Sequence, residues 1–317
     1  SVALVPGVNI FIGENGTGKT HLLNLLYAIQ SAAIRDAVAE DISGKILRIF
    51  LPRGLRLNRL IRKGKDSADE AGFSLSVNGD KIVGKIRPDS VTTTGPGMSC
   101  FKPALAAYIP VKEMLVNAPG FRSLYSTREI HFEETYHDII DRAFLPPLKD
   151  IDAEKQQILK RLEKKMGGKI VSENEAFFLK SGKGELEFTL IPEGMRKLAL
   201  LWLLVRNGTV TKGSTLYWDE PEANLNPSMI QTVVETLLQL EKMGVQMILT
   251  THSYTVLKEF ELQRKDHSLR FSVLFREDDG GVRVRQSDSY TTLFPNRIAE
   301  SFARIYDLEI ERAIRGE

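Results

Sequence analysis

The residues with the clearest chemistry stand near the front of the chain, in GENGTGKT. Gly13, Gly18, Lys19 and Thr20 fit the spacing G-x-x-x-x-G-K-[ST]. In that pattern backbone N–H groups wrap the β-phosphate of a nucleotide, the lysine ammonium bridges β- and γ-phosphates, and the threonine hydroxyl binds Mg²⁺. Such a loop works only between a strand and a helix. Val8 to Ile12 is apolar and β-branched, and Leu22, Leu26, Ile29 and Ala33 recur at helical spacing, so both flanks are expected.

A second set lies two hundred residues on. The apolar run Leu216, Tyr217, Trp218 delivers Asp219 and Glu220. At the end of a strand beside a phosphate loop, the aspartate holds Mg²⁺ through water and the glutamate orients and deprotonates an attacking water. Thirty-two residues past Glu220, after the apolar run Val245 to Thr250, comes His252. There an imidazole can donate a hydrogen bond to a γ-phosphate or to the attacking water, sensing ATP against ADP.

These groups need a parallel sheet to bring them together. Strand and helix patterns alternate through Thr215–Trp218, Pro227–Met243 and Val245–Thr250, as in α/β folds whose sheet is covered by helices. Residues 1–44 form the phosphate-loop strand and helix, and 45–110 a β-rich lobe with a hairpin turn at Asn78 and Gly79. Residues 91–103, rich in Gly, Pro and Thr, predict a loop, followed by a strand over 104–109. A helical insertion of two or three helices occupies 111–168. The remainder, 169–317, opens with a hairpin turning at Ser181 to Gly184. A nearly all-apolar helix follows over Met195–Val205, and the region closes with a hairpin at Gly280 and Gly281 and a helix over 296–314.

Composition narrows the class. The chain has 317 residues, 42% apolar and 26% charged, with 43 Lys+Arg against 41 Asp+Glu, which fits a globular domain and excludes a disordered one. The longest apolar run, Leu198 to Val205, is far short of the ~20 residues that span a bilayer, so no membrane partner is expected. Ser1 to Pro6 has no basic n-region or cleavage site. The single cysteine, Cys100, can form no internal disulfide or four-thiolate zinc site, and a reducing cytoplasm is the expected compartment. The five histidines show no ligand spacing, which argues against metals other than Mg²⁺. Arg53, Arg56, Arg59, Arg62, Lys63 and Lys65 put six positive charges into thirteen residues. On a short helix with Leu57, Leu60 and Ile61 facing inward, the arginines would line one side, as a DNA-phosphate stripe, a solvated face or a partner contact.

In order, Gly13 to Thr20, IPEGMRK at 191–197, LYWDEPEANLNP and ILTTHS resemble the motif set of ABC-type ATPases. The resemblance is to the RecF, SMC and OLD-like branch, which includes AAA-family ATP-binding proteins of bacterial DNA repair and phage defence. It implies a P-loop fold with Asn15, Gly16, Thr17, Gly18, Lys19, Thr20 and His21 on ATP. Thr20 and Asp219 would hold Mg²⁺, with Glu220 as general base and His252 as switch. It also implies a homodimer or higher oligomer that sandwiches ATP, with Gly194 and Met195 contributed in trans and Ala223 to Pro227 communicating across the dimer. This chain departs from the pattern at Pro192, where the family has serine, and at Glu193, where it has glycine. Proline removes a hydroxyl and a donor, and Glu193 places negative charge near ATP. No glutamine occurs between Gln30 and Gln156, so the family's glutamine loop has no counterpart. Lys112 and Glu113 are the candidates to reach Mg²⁺ or the γ-phosphate, an ordinary surface or salt-bridge role being the alternative for Glu113.

Two function classes follow. In one, ATP-driven closure grips DNA or controls a separate effector nuclease, since the 65 residues after His252 leave no room for the TOPRIM nuclease of OLD-like proteins. In the other, the chain is an ATP-gated assembly scaffold with slow hydrolysis and no direct DNA contact.

Overall fold

The computed structural model describes residues 1–33, 39–61, 70–77, 79–95, 105–128 and 130–315. Arg62, Lys63, Lys65, Asn78, Cys100 and the end of the expected 91–103 loop lie outside the described residues.

The core sheet contains β1 (Val8–Gly13), β5 (Ala106–Ile109), β9 (Thr215–Asp219), β10 (Gln246–Thr250), β11 (Leu269–Arg276) and β12 (Val282–Ser287), in the order β12-β11-β1-β10-β9-β5. All neighbours run parallel except β11 and β12. Both faces are covered along β1, β5, β9 and β10, which is why these strands read as largely apolar runs, while the edge strand β12 is half-buried to exposed. Ile10, Ile12, Leu216, Trp218, Met247 and Leu249 face one hydrophobic cluster, while Phe11, Tyr217, Ile248 and Tyr108 face another. The expected α/β fold with a parallel-dominated core is present.

The first cluster is built with α4 (Glu134–Ala143), α5 (Ala153–Met166), α6 (Glu193–Arg206), α7 (Pro227–Lys242) and α8 (Tyr254–Leu262). The second is built with α1 (Lys19–Ala33) and α2 (Ala39–Phe50). A buried charge cluster joins these helices across the molecule. The Tyr27 hydroxyl donates to Asp138 at 2.7 Å, Lys45 pairs with Asp138 and with Glu134 at 3.3 Å, and Arg48 reaches Glu134 at 2.9 Å.

Several expectations are corrected. Residues 45–50 belong to α2, whose Ile42, Ile46 and Ile49 are buried at helical spacing; the antiparallel lobe begins only at β2 (Ala71–Val77), which pairs with β3 (Asp80–Ile86). Val91–Thr94, read as loop, is β4, a strand paired with β3. The basic stripe is not one helix but two 3₁₀ turns, Arg53–Leu55 and Leu57–Leu60, separated by extended Arg56. Arg53, Arg56 and Arg59 are exposed and Leu57 is buried, as the stripe requires. The helical insertion has three helices, beginning with α3 (Ala118–Arg128). The expected hairpin over 169–190 is a three-stranded meander, β6 (Lys169–Glu173), β7 (Ala176–Ser181) and β8 (Gly184–Glu187). Its extra turn places Asn174 and Glu175 both at positive φ, the conformation of a tight two-residue hairpin.

The last helix, α9 (Arg297–Arg315), has no buried residue, and only its first turns touch the body, with Phe302 stacked on Tyr254 at 4.3 Å. Among the described residues no helix is long and apolar enough to cross a membrane.

Candidate functional site

In a parallel sheet the strand ends at the carboxyl edge share one crevice. Here that edge gathers Gly13 from β1, Asp219 from β9 and Thr250 from β10. Helix α1 is pinned to β9 at its far end, where Gln30 donates to Thr215 Oγ1 at 3.0 Å and accepts from the Tyr217 hydroxyl at 2.7 Å. Ten helical residues rise about 15 Å, and the four strand residues from Thr215 to Asp219 rise about 13 Å. The pinning therefore brings the start of α1 level with the end of β9, where Thr20 Oγ1 donates to Asp219 Oδ1 at 3.2 Å.

The loop between β1 and α1 has a form only glycine permits. Gly13, Gly16 and Gly18 have φ of 148°, 75° and 89°, and a Cβ on Gly13 would lie 2.2 Å from the Leu274 carbonyl oxygen. Lys19 Nζ donates to the carbonyls of Gly13 at 2.8 Å and Glu14 at 3.1 Å, closing the loop on itself. The Thr17 hydroxyl donates to Glu14 at 2.8 Å. Burial lowers the Lys19 pKa, opposed by the charges of Glu220 and Asp219. His21 is exposed on the first turn of α1, its ring 5.5 Å from that of Phe50. A cavity of about 630 Å³ opens beside the loop, lined by Asn15, His252, Phe275, Arg276, Arg297 and Phe302 among others.

Glu220 takes φ 49°, a left-handed conformation that costs a non-glycine residue on the order of 1 kcal/mol or more. Its N–H is held by Thr250, donating to Oγ1 at 3.1 Å, and the Thr250 hydroxyl donates in turn to Asp219. Glu220 Oε1 then lies 3.1 Å from His252 Nε2, both side chains about a third exposed. The structure thus brings Lys19, Thr20, Asp219, Glu220 and His252 into one edge.

Glu113 is committed elsewhere. Its side chain is fully buried, 2.5 Å from Arg196 Nε, and accepts from the Leu115 N–H. Burial raises its pKa against the pull of Arg196. The salt-bridge alternative for Glu113 is the arrangement this structure contains; Lys112 is exposed. Gly194 is buried where α6 meets the loop after Glu220, since a Cβ there would lie 2.8 Å from the Asn224 carbonyl. Pro192 is exposed, and Glu193 and Met195 are half-buried.

Five residues have contacts that the sequence reading does not assign. Arg276, at the end of β11, donates to the Gly16 carbonyl and braces the loop. Glu133 is half-buried before α4 with its pKa raised by burial and then by Asp219, and Tyr136 is pushed up to about 12 by burial, Glu133 and Asp219. Glu222 and Lys197 knit the loops around His252: the Glu222 carboxylate accepts from Thr251, His252 and Ser253, and Lys197 Nζ donates to the Ala223 carbonyl at 2.7 Å. Of these, Lys197 and Glu222 lie inside the quoted segments IPEGMRK and LYWDEPEANLNP, and neither segment assigns them a role.

Residues 101–258, which include Asp219, Glu220 and His252 but not the Gly13–Thr20 loop, match a family model described as an AAA domain, putative AbiEii toxin, type IV toxin–antitoxin system. No curated protein matches the sequence. Among solved structures, the chain is similar to an SMC head bound to the C-winged helix domain of ScpA, with 14% identity, TM-score 0.56 and 92% of this chain covering 93% of that one. It is similar to the SMC head domain from Thermotoga maritima at 12% identity and TM-score 0.51, with 90% and 92% covered. The Smc head with an extended coiled coil from Pyrococcus furiosus, bound to the C-terminal domain of ScpA, gives 11% and 0.51, with 97% and 94% covered. At these identities the likeness is one of fold.

Proposed function

We propose that the chain, which shares the fold of SMC heads and carries its motifs in the order of ABC-type P-loop ATPases of the RecF/SMC-like branch, binds Mg-ATP and hydrolyses it to ADP and phosphate. The observation that carries this reading is the convergence of Thr20 on Asp219 at 3.2 Å beside the Glu220–His252 pair at 3.1 Å.

The residues fit the magnesium that such a site uses. A hydroxyl and a carboxylate, both hard oxygen donors, meet at one point in front of the phosphate loop. Thr20 and Asp219 would hold the ion, which supplies charge neutralisation on the β- and γ-phosphates. Lys19 exchanges its bonds to the Gly13 and Glu14 carbonyls for phosphate oxygens, and the N-terminus of α1 adds its backbone N–H groups. Glu220 orients a water in line with the γ-phosphorus and takes its proton as the new P–O bond forms and the bond to the β-phosphate oxygen breaks. His252, released from Glu220 as phosphate enters, donates to the γ-phosphate. Asn15, Gly16, Thr17, Gly18 and His21 complete the phosphate contacts.

Two copies facing each other would enclose ATP between the loop of one and the α6 N-terminus of the other, at Gly194 and Met195. The effect on a partner then follows from closure. Arg53, Arg56 and Arg59 pair with no carboxylate among the described residues, which favours a DNA contact or control of an effector nuclease, in repair or anti-phage defence. The exposed apolar residues of α9, among them Phe302, Tyr306 and Ile314, favour the second reading, an assembly scaffold gated by slow hydrolysis.

Phosphate release decides the enzymatic part. The wild-type chain should turn over ATP only with Mg²⁺, and Glu220→Gln should bind ATP with unchanged affinity while hydrolysing it about a hundredfold or more slowly. Undiminished turnover in Glu220→Gln would remove Glu220 from the base role. Lys19→Ala should instead lose affinity for ATP.

A further inference from the structure

Glu222 stands two residues past the proposed base and does not point at the phosphate loop. Its Oε1 accepts from the Thr251 hydroxyl at 2.6 Å, the His252 N–H at 2.9 Å and the Ser253 N–H at 3.2 Å. The Ser253 N–H is shared with Thr251 Oγ1 at 2.9 Å. One carboxylate oxygen therefore fixes the backbone that carries the switch imidazole, across thirty residues of sequence. Its other oxygen, Oε2, is buried and accepts no hydrogen bond, so the carboxylate is oriented by the switch loop alone. Glu222 is half-buried with Oε2 out of water, and a carboxylate so placed gains from charge nearby. Lys197, 1% exposed, lies in this field: burial lowers its pKa, opposed first by Glu193 and then by Glu222, Glu220 and Glu113. Its Nζ is bonded to the carbonyl of Ala223, the residue next to Glu222.

We propose that Glu222 is a positioning residue for hydrolysis, whose Oε1 holds the switch loop so that His252 faces Glu220, and that Lys197 ties this loop to the helix opened by the 191–197 segment. The proposal rests on the ATPase reading for its effect on turnover, but its structural half stands without it. Seating of any group on the head of α6 would move Lys197, and through Ala223 and Glu222 would shift the His252–Glu220 pair. The requirement is for an acceptor at the right reach. Glutamine supplies that acceptor; aspartate keeps the charge but retracts it by about 1.5 Å, one C–C bond.

The test compares Glu222→Ala, Glu222→Asp and Glu222→Gln in the full-length chain. Amide hydrogen exchange of His252 and Ser253, read without nucleotide, should quicken about tenfold or more in the Ala and Asp variants and stay near wild type in Gln. Turnover should follow the same order: kcat falls in Ala and Asp with the KM for ATP unchanged, and Gln stays within about threefold of wild type. Combining Glu222→Ala with His252→Ala should cost no more than about twofold beyond His252→Ala alone, because both act through one group. Unchanged exchange in Ala and Asp overturns the proposal, and so does a double variant that multiplies the two losses. If Glu222→Ala does not fold, the contrast of Asp with Gln decides alone. A wild-type chain without ATP turnover would end the hydrolysis reading while the exchange data still judge the positioning.

Discussion

Glu220 combines the two properties expected of a working residue: a backbone conformation that is unfavourable for its type, and a partner, His252, whose only reach to it is across two loops. The cost of φ 49° is met by the Thr250 bonds to its N–H. Around it the negative charge is dense, and Glu133 is one of the groups that respond to it. Its raised pKa has burial first and Asp219 second as causes. For an acid with a folded pKa above the unfolded value, ionisation costs stability at pH above the folded pKa, and the cost vanishes as pH falls below the unfolded value near 4.5. Glu133→Gln, without nucleotide or metal, should therefore raise the melting temperature at neutral pH, and the gain should fade as the pH is lowered through that window. Thermal scans at pH 7 and pH 4 check this. An equal gain at both pH values would mean that the carboxylate charge is not what the fold resists.

At the scale of elements, the legible parts of the sequence were those where one short stretch carries the whole signal. The phosphate loop is a glycine pattern at a strand–helix junction, and β9 and β10 are apolar runs that both faces of the sheet bury. Where the signal was split, it misled. Helix α2 has buried Ile42, Ile46 and Ile49, but Gly44 and the basic residues beyond Pro52 masked the period. Val91–Thr94 is β-branched, yet the Gly-Pro-Gly that follows drew the whole stretch into a loop. The turn at Asn174–Glu175 has no glycine to announce it, since glutamate rarely takes φ 61°. The contacts of Glu222 and Arg276 join residues 30 and 260 apart, and no spacing rule reaches that far. Gly13 offers an element-level test because its place in the loop is fixed by β11. Gly13→Ala would push a methyl to 2.2 Å from the Leu274 carbonyl. The strand and loop must part, costing about 2 kcal/mol or more of stability, and ATP binding should be lost. Denaturant melts and a nucleotide titration read both effects; retained ATP affinity would mean that the loop tolerates displacement from β11.

Over the whole molecule, one sheet divides two cores, and the site lies where both end. The cluster of Tyr27, Lys45, Glu134 and Asp138 links the helix after the phosphate loop to α2 and the helical insertion. Arg196 and Lys197, side by side at the head of α6, link that helix to Glu113 on one side and to the loop after Glu220 on the other. In the proposed ATPase, these contacts would connect the nucleotide to the surface that meets a second copy. Pro192 and Glu193 bear on this scale: an exposed proline and a half-buried carboxylate at the α6 N-terminus weaken its attraction for a phosphate, which the proposed closure would have to overcome. The measurement that reaches the central claim most directly is the mass of the Glu220→Gln protein in solution, by light scattering, with and without Mg-ATP. The account predicts that ATP at least doubles the mass of the nucleotide-free species, because the variant binds ATP and cannot discharge it. A mass that ATP leaves unchanged, in a sample shown by titration to be saturated, would contradict it.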